Sequence, residues 1–175
     1  LFQKPNHNKT LKEFTKEYIR YVKSRTARYS ERTIETYCYS ANMFAEIWGE
    51  IRLKDFTPYM VEFEIRPHLE DRFGSMATVK HHMINLRSMF SLAVKWELID
   101  KNPFSGMIPI LAKKQPVYFK EEEIRAIADY FNSRTDWTRT YFQLMLDTRM
   151  RKGELFRLTW SAVNLQPDEP FVRVY

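Results

Sequence analysis

Apolar residues recur every three or four positions along nearly all of this chain, and only four glycines in 175 residues let the backbone reverse tightly. That period marks helices with one buried face, so the spacing predicts a mainly α protein. Over 10–24, Leu11, Phe14, Tyr18 and Val22 fall on one side. Over 31–48 the same role passes to Ile34, Tyr37, Ala41, Phe44 and Trp48, with Ser30 placed as N-cap and Gly49 as the stop. Another stripe, Val79, Met83, Leu86, Phe90 and Ala93, predicts a helix running from a Ser75 cap to about residue 97.

The stretch 58–71 is ambiguous. Val61, Phe63 and Ile65 alternate with Glu62 and Glu64 as in a strand, whereas Thr57-Pro58 is a good helix start and Val61, Ile65 and Leu69 keep helical spacing. A short irregular helix is favoured, disturbed by Pro67. The turn "DKNPFSG" at 100–106 and the basic, proline-containing "LAKKQPVYF" at 111–119 then mark a domain boundary, giving 1–111 and 112–175. In the second part Glu121, Glu122 and Glu123 suit the positive end of a helix whose Ile124, Ile127 and Phe131 face a core. A helix over 137–146 carries Trp137, Tyr141 and Leu144, and another begins near 150. The closing "FVRVY" reads as a strand with nothing to pair against, as in a piece of a longer protein.

A net charge of +6 and a pI near 9.4 point to an anionic partner, with nucleic acid ahead of an acidic protein or a membrane surface. Cys38 is the sole cysteine, which excludes an intramolecular disulfide and a zinc cluster and suits a reducing compartment. The opening "LFQKPNHNKTLKEF" lacks the apolar centre of a signal peptide, and no run reaches transmembrane length. The expectation is a soluble cytoplasmic protein without cofactor, metal or membrane. His81 and His82 diverge by about 100° on a helix and make no metal pair. Lys9, Lys12, Lys16, Arg20 and Lys23 form a basic stripe, but Glu13 and Glu17 interleave with it, as on a solvated face.

The densest cationic run opens "DTRMRKGELFRLTW" at 147–160. A helix starting near Met150 or Arg151 would put Arg151 in its first turn, where free N–H groups and the helix dipole favour an anion and the guanidinium adds a planar fork for phosphate. Glu154, three residues on, could orient it. Leu155, Leu158 and Trp160 would pin the helix to a core. By spacing alone a solvated helix start with an Arg–Glu pair explains the same residues.

The segment "TRMRKGELFRLTW" resembles the T-G-x-R-x-x-E-L-x-x-L-x-W motif of tyrosine recombinases, the family that includes phage integrases, with Thr148, Arg151, Glu154, Leu155, Leu158 and Trp160 on the pattern. Upstream, "WELIDKNPFSGM" resembles the end of that family's N-terminal helical domain and "YFKEEEIRAI" the opening of its catalytic domain. The resemblance implies a four-helix SAM-like core-binding domain followed by the helical beginning of an α+β catalytic domain. It implies a partner, double-stranded DNA, and assembly as a tetramer on it. The implied chemistry is metal-free attack of a tyrosine on a DNA phosphate, giving a covalent 3′-phosphotyrosine. Arg151 corresponds to the first phosphate-neutralising arginine and Glu154 to its supporting acid. Arg149 stands where the pattern has glycine, a position expected to need φ > 0 at a cost of about 1 kcal/mol for another residue. The family's hairpin lysine, H-x-x-R box and nucleophile lie beyond Trp160, and Tyr175 is too close to Arg151 to match the nucleophile. These 175 residues are therefore expected to bind DNA without cleaving it, within a protein that integrates or recombines DNA.

With that resemblance, the first four helices are expected to hold DNA. "SRTARYSERT" supplies Arg25, Arg28 and Arg32 with Ser30 and Thr33 at a helix start, a composition suited to phosphates. Thr78, His81, His82 and Asn85 are expected opposite the apolar stripe of the 75–97 helix, flanked by Lys80 and Arg87, where Asn and Arg could read base edges. Lys113 and Lys114 would lie along the backbone. The alternatives are a non-catalytic helical DNA-binding regulator and a protein-interaction adaptor with incidental charge.

Overall fold

The computed structural model describes residues 8–112, 115–166, 168 and 170–173. The chain divides into two compact units, Leu1–Lys113 and Lys114–Tyr175. No helix among the described residues is long and apolar enough to cross a membrane.

The first unit is helical. α1 (Leu11–Lys23) starts at Thr10, whose hydroxyl accepts the Glu13 N–H while the Glu13 carboxylate accepts the Thr10 N–H. This reciprocal cap satisfies two donors that a helix start leaves open. The next two donors, Leu11 and Lys12 N–H, reach the carbonyls of Ile51 and Gly49 at 2.9 Å. α2 (Glu31–Trp48) begins under Ser30, which accepts the Thr33 N–H at 3.3 Å, and ends at Gly49. That glycine does not stop the helix through a left-handed turn, since its φ is −57°. It is needed for room. A Cβ there would run into the Ala45 carbonyl oxygen and press within 3.3 Å of the Lys12 Cβ.

The ambiguous stretch is helical throughout. α3 (Pro58–Met60) starts under a Thr57 cap, a π-turn covers Val61–Ile65, and α4 (Arg66–Phe73) ends at a left-handed Gly74. In the π-turn the Arg66 N–H reaches back five residues to the Val61 carbonyl. Pro67 has no N–H to give, and its ring would collide with the carbonyl four residues back in a regular helix. The wider turn absorbs that conflict. Helical spacing also decides burial: Val61, Ile65 and Leu69 are fully enclosed, whereas Phe63 is 63% exposed.

α5 (Met76–Lys95) follows. Ser75 occupies its N-cap position, yet the hydroxyl makes no capping bond, which corrects its expected role; only its carbonyl takes part, accepting the Val79 N–H. The core is aromatic. Phe44 of α2 makes ring contacts with Trp48, Phe56, Phe90 and Phe104. Phe14 of α1 meets Trp96 edge-on at 5.9 Å. Each fully buried side chain of this size contributes roughly 1.5–3 kcal/mol.

The second unit holds α6 (Glu121–Asn132), α7 (Trp137–Thr148), α8 (Lys152–Phe156) and the strands β1 (Val163–Asn164) and β2 (Phe171–Val172). Phe131 stacks on Phe142 at 4.1 Å to join α6 to α7, and Tyr141 lies 5.1 Å from Phe156 to join α7 to α8. The strands pair antiparallel, Val163 opposite Val172 and Asn164 opposite Phe171. The closing strand thus has a partner, contrary to expectation, because a two-residue β1 is too short to show alternation in sequence. Ile124 and Trp160, expected inward, are 51% and 84% exposed. Three short helices and a two-residue ladder make too little interior to cover every apolar face.

Candidate nucleic-acid interface

Two segments of the first unit carry positive charge undiluted by acids. From Arg20 to Ser30 the chain has Arg20, Lys23, Arg25 and Arg28 and no Asp or Glu. α5 has Lys80, Arg87 and Lys95, and again none. By contrast, the basic stripe of α1 is partly neutralised: Lys9 pairs with Glu17 at 2.7 Å and Lys12 with Glu50 at 3.3 Å.

Arg25, Arg28 and Arg32 are exposed in and after the turn between α1 and α2. The Arg25 guanidinium lies 4.8 Å from the Tyr21 ring centre and that of Arg28 lies 5.4 Å from Tyr29. These contacts hold the forks in place without using up their N–H donors. Ser30 is exposed and capped onto Thr33, which is half-buried, with their hydroxyl oxygens 2.8 Å apart.

α5 divides its candidates. His81 and Arg87 are exposed, and Thr78 and Lys80 half-buried. His82 and Asn85 are each only 5% exposed, which corrects their expected position on the outer face. Ser40 of α2 binds both, its Oγ lying 2.9 Å from His82 Nδ1 and from Asn85 Nδ2. With its proton on the Thr36 carbonyl at 3.0 Å, the hydroxyl offers its lone pairs to Asn85 Nδ2 and to an Nδ1–H of His82. The cause is that both α2 and α4 pack against α5, so the buried arc is wider than a one-sided stripe. The side chain that does open outward there is Ile84, 44% exposed among Lys80, His81 and Arg87.

The buried imidazole has a consequence for stability. Burial first, then the positive charge of the neighbouring His81 and Arg72, pulls the His82 pKa below 6.5, and Phe73 stacks on the ring at 4.4 Å. A depressed histidine pKa means that the unfolded chain takes up the proton first. Stability is complete above about pH 6.5 and declines as the pH falls toward the lower folded value. Urea unfolding from pH 7.5 to 5 is expected to show this decline in wild type and a weaker one in His82→Gln.

In the second unit, Arg151 is the N-cap of α8 rather than a residue of its first turn. Its backbone N–H donates to Glu154 Oε2 at 2.8 Å, and its Nη1 lies 3.1 Å from Oε1. The Arg151 N–H and then the guanidinium hold the Glu154 carboxyl below its usual pKa. Glu154 therefore fills the helix start itself, and the capacity for an outside anion rests on the guanidinium, whose side chain is 88% exposed. Lys113 and Lys114 lie outside the described residues. Among the described residues no three His, Cys, Asp or Glu side chains gather where they could hold a metal ion.

Arg149 ends α7 in the left-handed region, φ 55° and ψ 21°, with its N–H on the Met145 carbonyl at 2.9 Å. A Cβ is strained there and a glycine is not. Arg149→Gly is expected to stabilise the second unit by up to about 1 kcal/mol, read from its urea midpoint.

This arrangement of helices defines a class. The phage integrase SAM-like domain family matches residues 10–115, and the chain belongs to that family and to the tyrosine recombinases. The tyrosine recombinase XerC of Pediococcus pentosaceus is 25% identical over 145 residues, 78% of this chain and 48% of its own length. Among solved structures, a lambda integrase dimer bound to a core site is similar over 95% of this chain and 48% of its own, with TM-score 0.74 and 19% identity. The Tn1549 transposon integrase in complex with a circular intermediate DNA is similar over 89% and 50%, with TM-score 0.71 and 15% identity. The chain spans about half the length of each of these relatives.

Proposed function

We propose that the first unit is the DNA-holding part of a site-specific tyrosine recombinase acting in DNA integration or recombination. The observation that carries this reading is the pair of acid-free basic segments, the α1–α2 turn and α5, on one helical unit. Arg25, Arg28, Arg32, Lys80 and Arg87 neutralise backbone phosphates, Ser30 and Thr33 support them, and His81 lies among them at the surface. By sequence alone, Lys113 and Lys114 add two further cations. The relatives' complexes with DNA agree with this partner.

In the whole protein, Arg151 would neutralise the scissile phosphate, with Glu154 fixing its guanidinium. A preorganised donor of this kind is worth roughly 10²–10³ in rate, by analogy with oxyanion holes. The nucleophilic tyrosine of the covalent 3′-phosphotyrosine mechanism has no counterpart in these 175 residues, which bind DNA and do not cut it. Tetramer assembly on DNA and a cytoplasmic location belong to the same proposal.

A mobility shift on duplex DNA tests it. The wild-type chain is expected to bind, and Arg28→Ala/Lys80→Ala to bind roughly ten- to a hundredfold more weakly through loss of two phosphate contacts. Undiminished binding by the double variant would place the DNA elsewhere. No binding by wild type would favour a protein-interaction domain.

A further inference from the structure

A cleft of about 190 Å³ opens where the end of α1, the α1–α2 turn, α2 and α5 converge. Arg28 and Lys95 line it together with Ser88, Ser91, Tyr29 and Tyr37, and no carboxylate does. The Tyr18 phenol at its floor is 3% exposed, and burial pushes its pKa far up, so it stays neutral. At the mouth, Tyr29 meets Tyr37 edge-on at 5.5 Å while its ring seats the Arg28 guanidinium. Another hollow, between α1 and α2, has Lys12 and Lys16 on its wall but also Glu46 and Glu50, which cancel them. In the Arg28–Lys95 cleft nothing opposes an anion, and the volume equals about six liquid waters, room for one phosphate group with part of its hydration.

We infer that this cleft is a seat for a single phosphodiester of the DNA backbone, with Lys95 as the residue that fixes the register of α5 on the duplex. The inference rests on the DNA-binding reading above. Two cations, one on the α1–α2 turn and one at the end of α5, line the same cleft, and the hydroxyls that line it with them can donate to the remaining phosphate oxygens. A contact of this kind positions a protein on DNA without reading sequence.

The test uses the full chain and a duplex that wild type binds. Lys95→Gln is expected to lower affinity roughly tenfold and to flatten the log–log salt slope by about 0.9. Lys95 is exposed, so the melting temperature is expected to stay unchanged. A scan that replaces one phosphate at a time by a neutral methylphosphonate should reveal one position that weakens wild type more than it weakens Lys95→Gln, the loss that remains coming from Arg28. If wild type binds DNA but Lys95→Gln matches it in affinity and slope, or if no position behaves so, the cleft is not a phosphate seat and the DNA-binding reading survives. If wild type binds no DNA at all, both fall.

Discussion

A fourfold rise in salt is expected to weaken duplex DNA binding by this chain about a thousandfold. Six cations stand on or beside the two acid-free segments: Arg25, Arg28, Arg32, Lys80, Arg87 and Lys95. If each neutralises one phosphate, the counterions released give a log–log slope near about −5, and a fourfold change in salt raised to that power is roughly 10³. Fluorescence anisotropy titrations across salt concentrations read the slope directly. A specific affinity indifferent to salt would mean that the partner is not held by its phosphates.

Ser40→Ala is expected to cost about 3 kcal/mol of stability, because one hydroxyl serves two buried donors. Without it, His82 Nδ1–H and Asn85 Nδ2 both lose their acceptor in a place water does not reach, and each unsatisfied group costs on the order of 1–3 kcal/mol. For a unit of about a hundred residues this lowers the melting temperature by more than about 10 °C. DNA affinity measured well below the transition should be unchanged, since the triad faces inward. Lost affinity with unchanged stability would return His82 and Asn85 to the DNA surface.

Much of the architecture was legible in the sequence because helical period and capping chemistry agree. Thr57-Pro58 with Val61, Ile65 and Leu69 outweighed the strand-like alternation of Phe63 with its flanking glutamates, and Pro67 accounts for the irregularity. The positive φ at Arg149 was legible too, since a motif with glycine at that place announces the backbone conformation. The outer face of α5 was not fully legible. A stripe drawn from apolar residues alone assigns His82 and Asn85 to solvent, and only the presence of two neighbouring helices turns them inward. The absence of acids from α5 was visible from the start and marks the same surface without needing the helix's orientation. The fit of Glu154 to the Arg151 N–H depends on where α8 begins, a matter of one residue that spacing does not fix.

The most direct measurement of the central claim compares salt slopes for the wild-type chain and Arg28→Ala/Lys80→Ala on the same duplex. Two cations leaving the phosphate contacts should flatten the line by about 1.8. Parallel lines, with both proteins equally sensitive to salt, would contradict the assignment of the α1–α2 turn and α5 to the DNA.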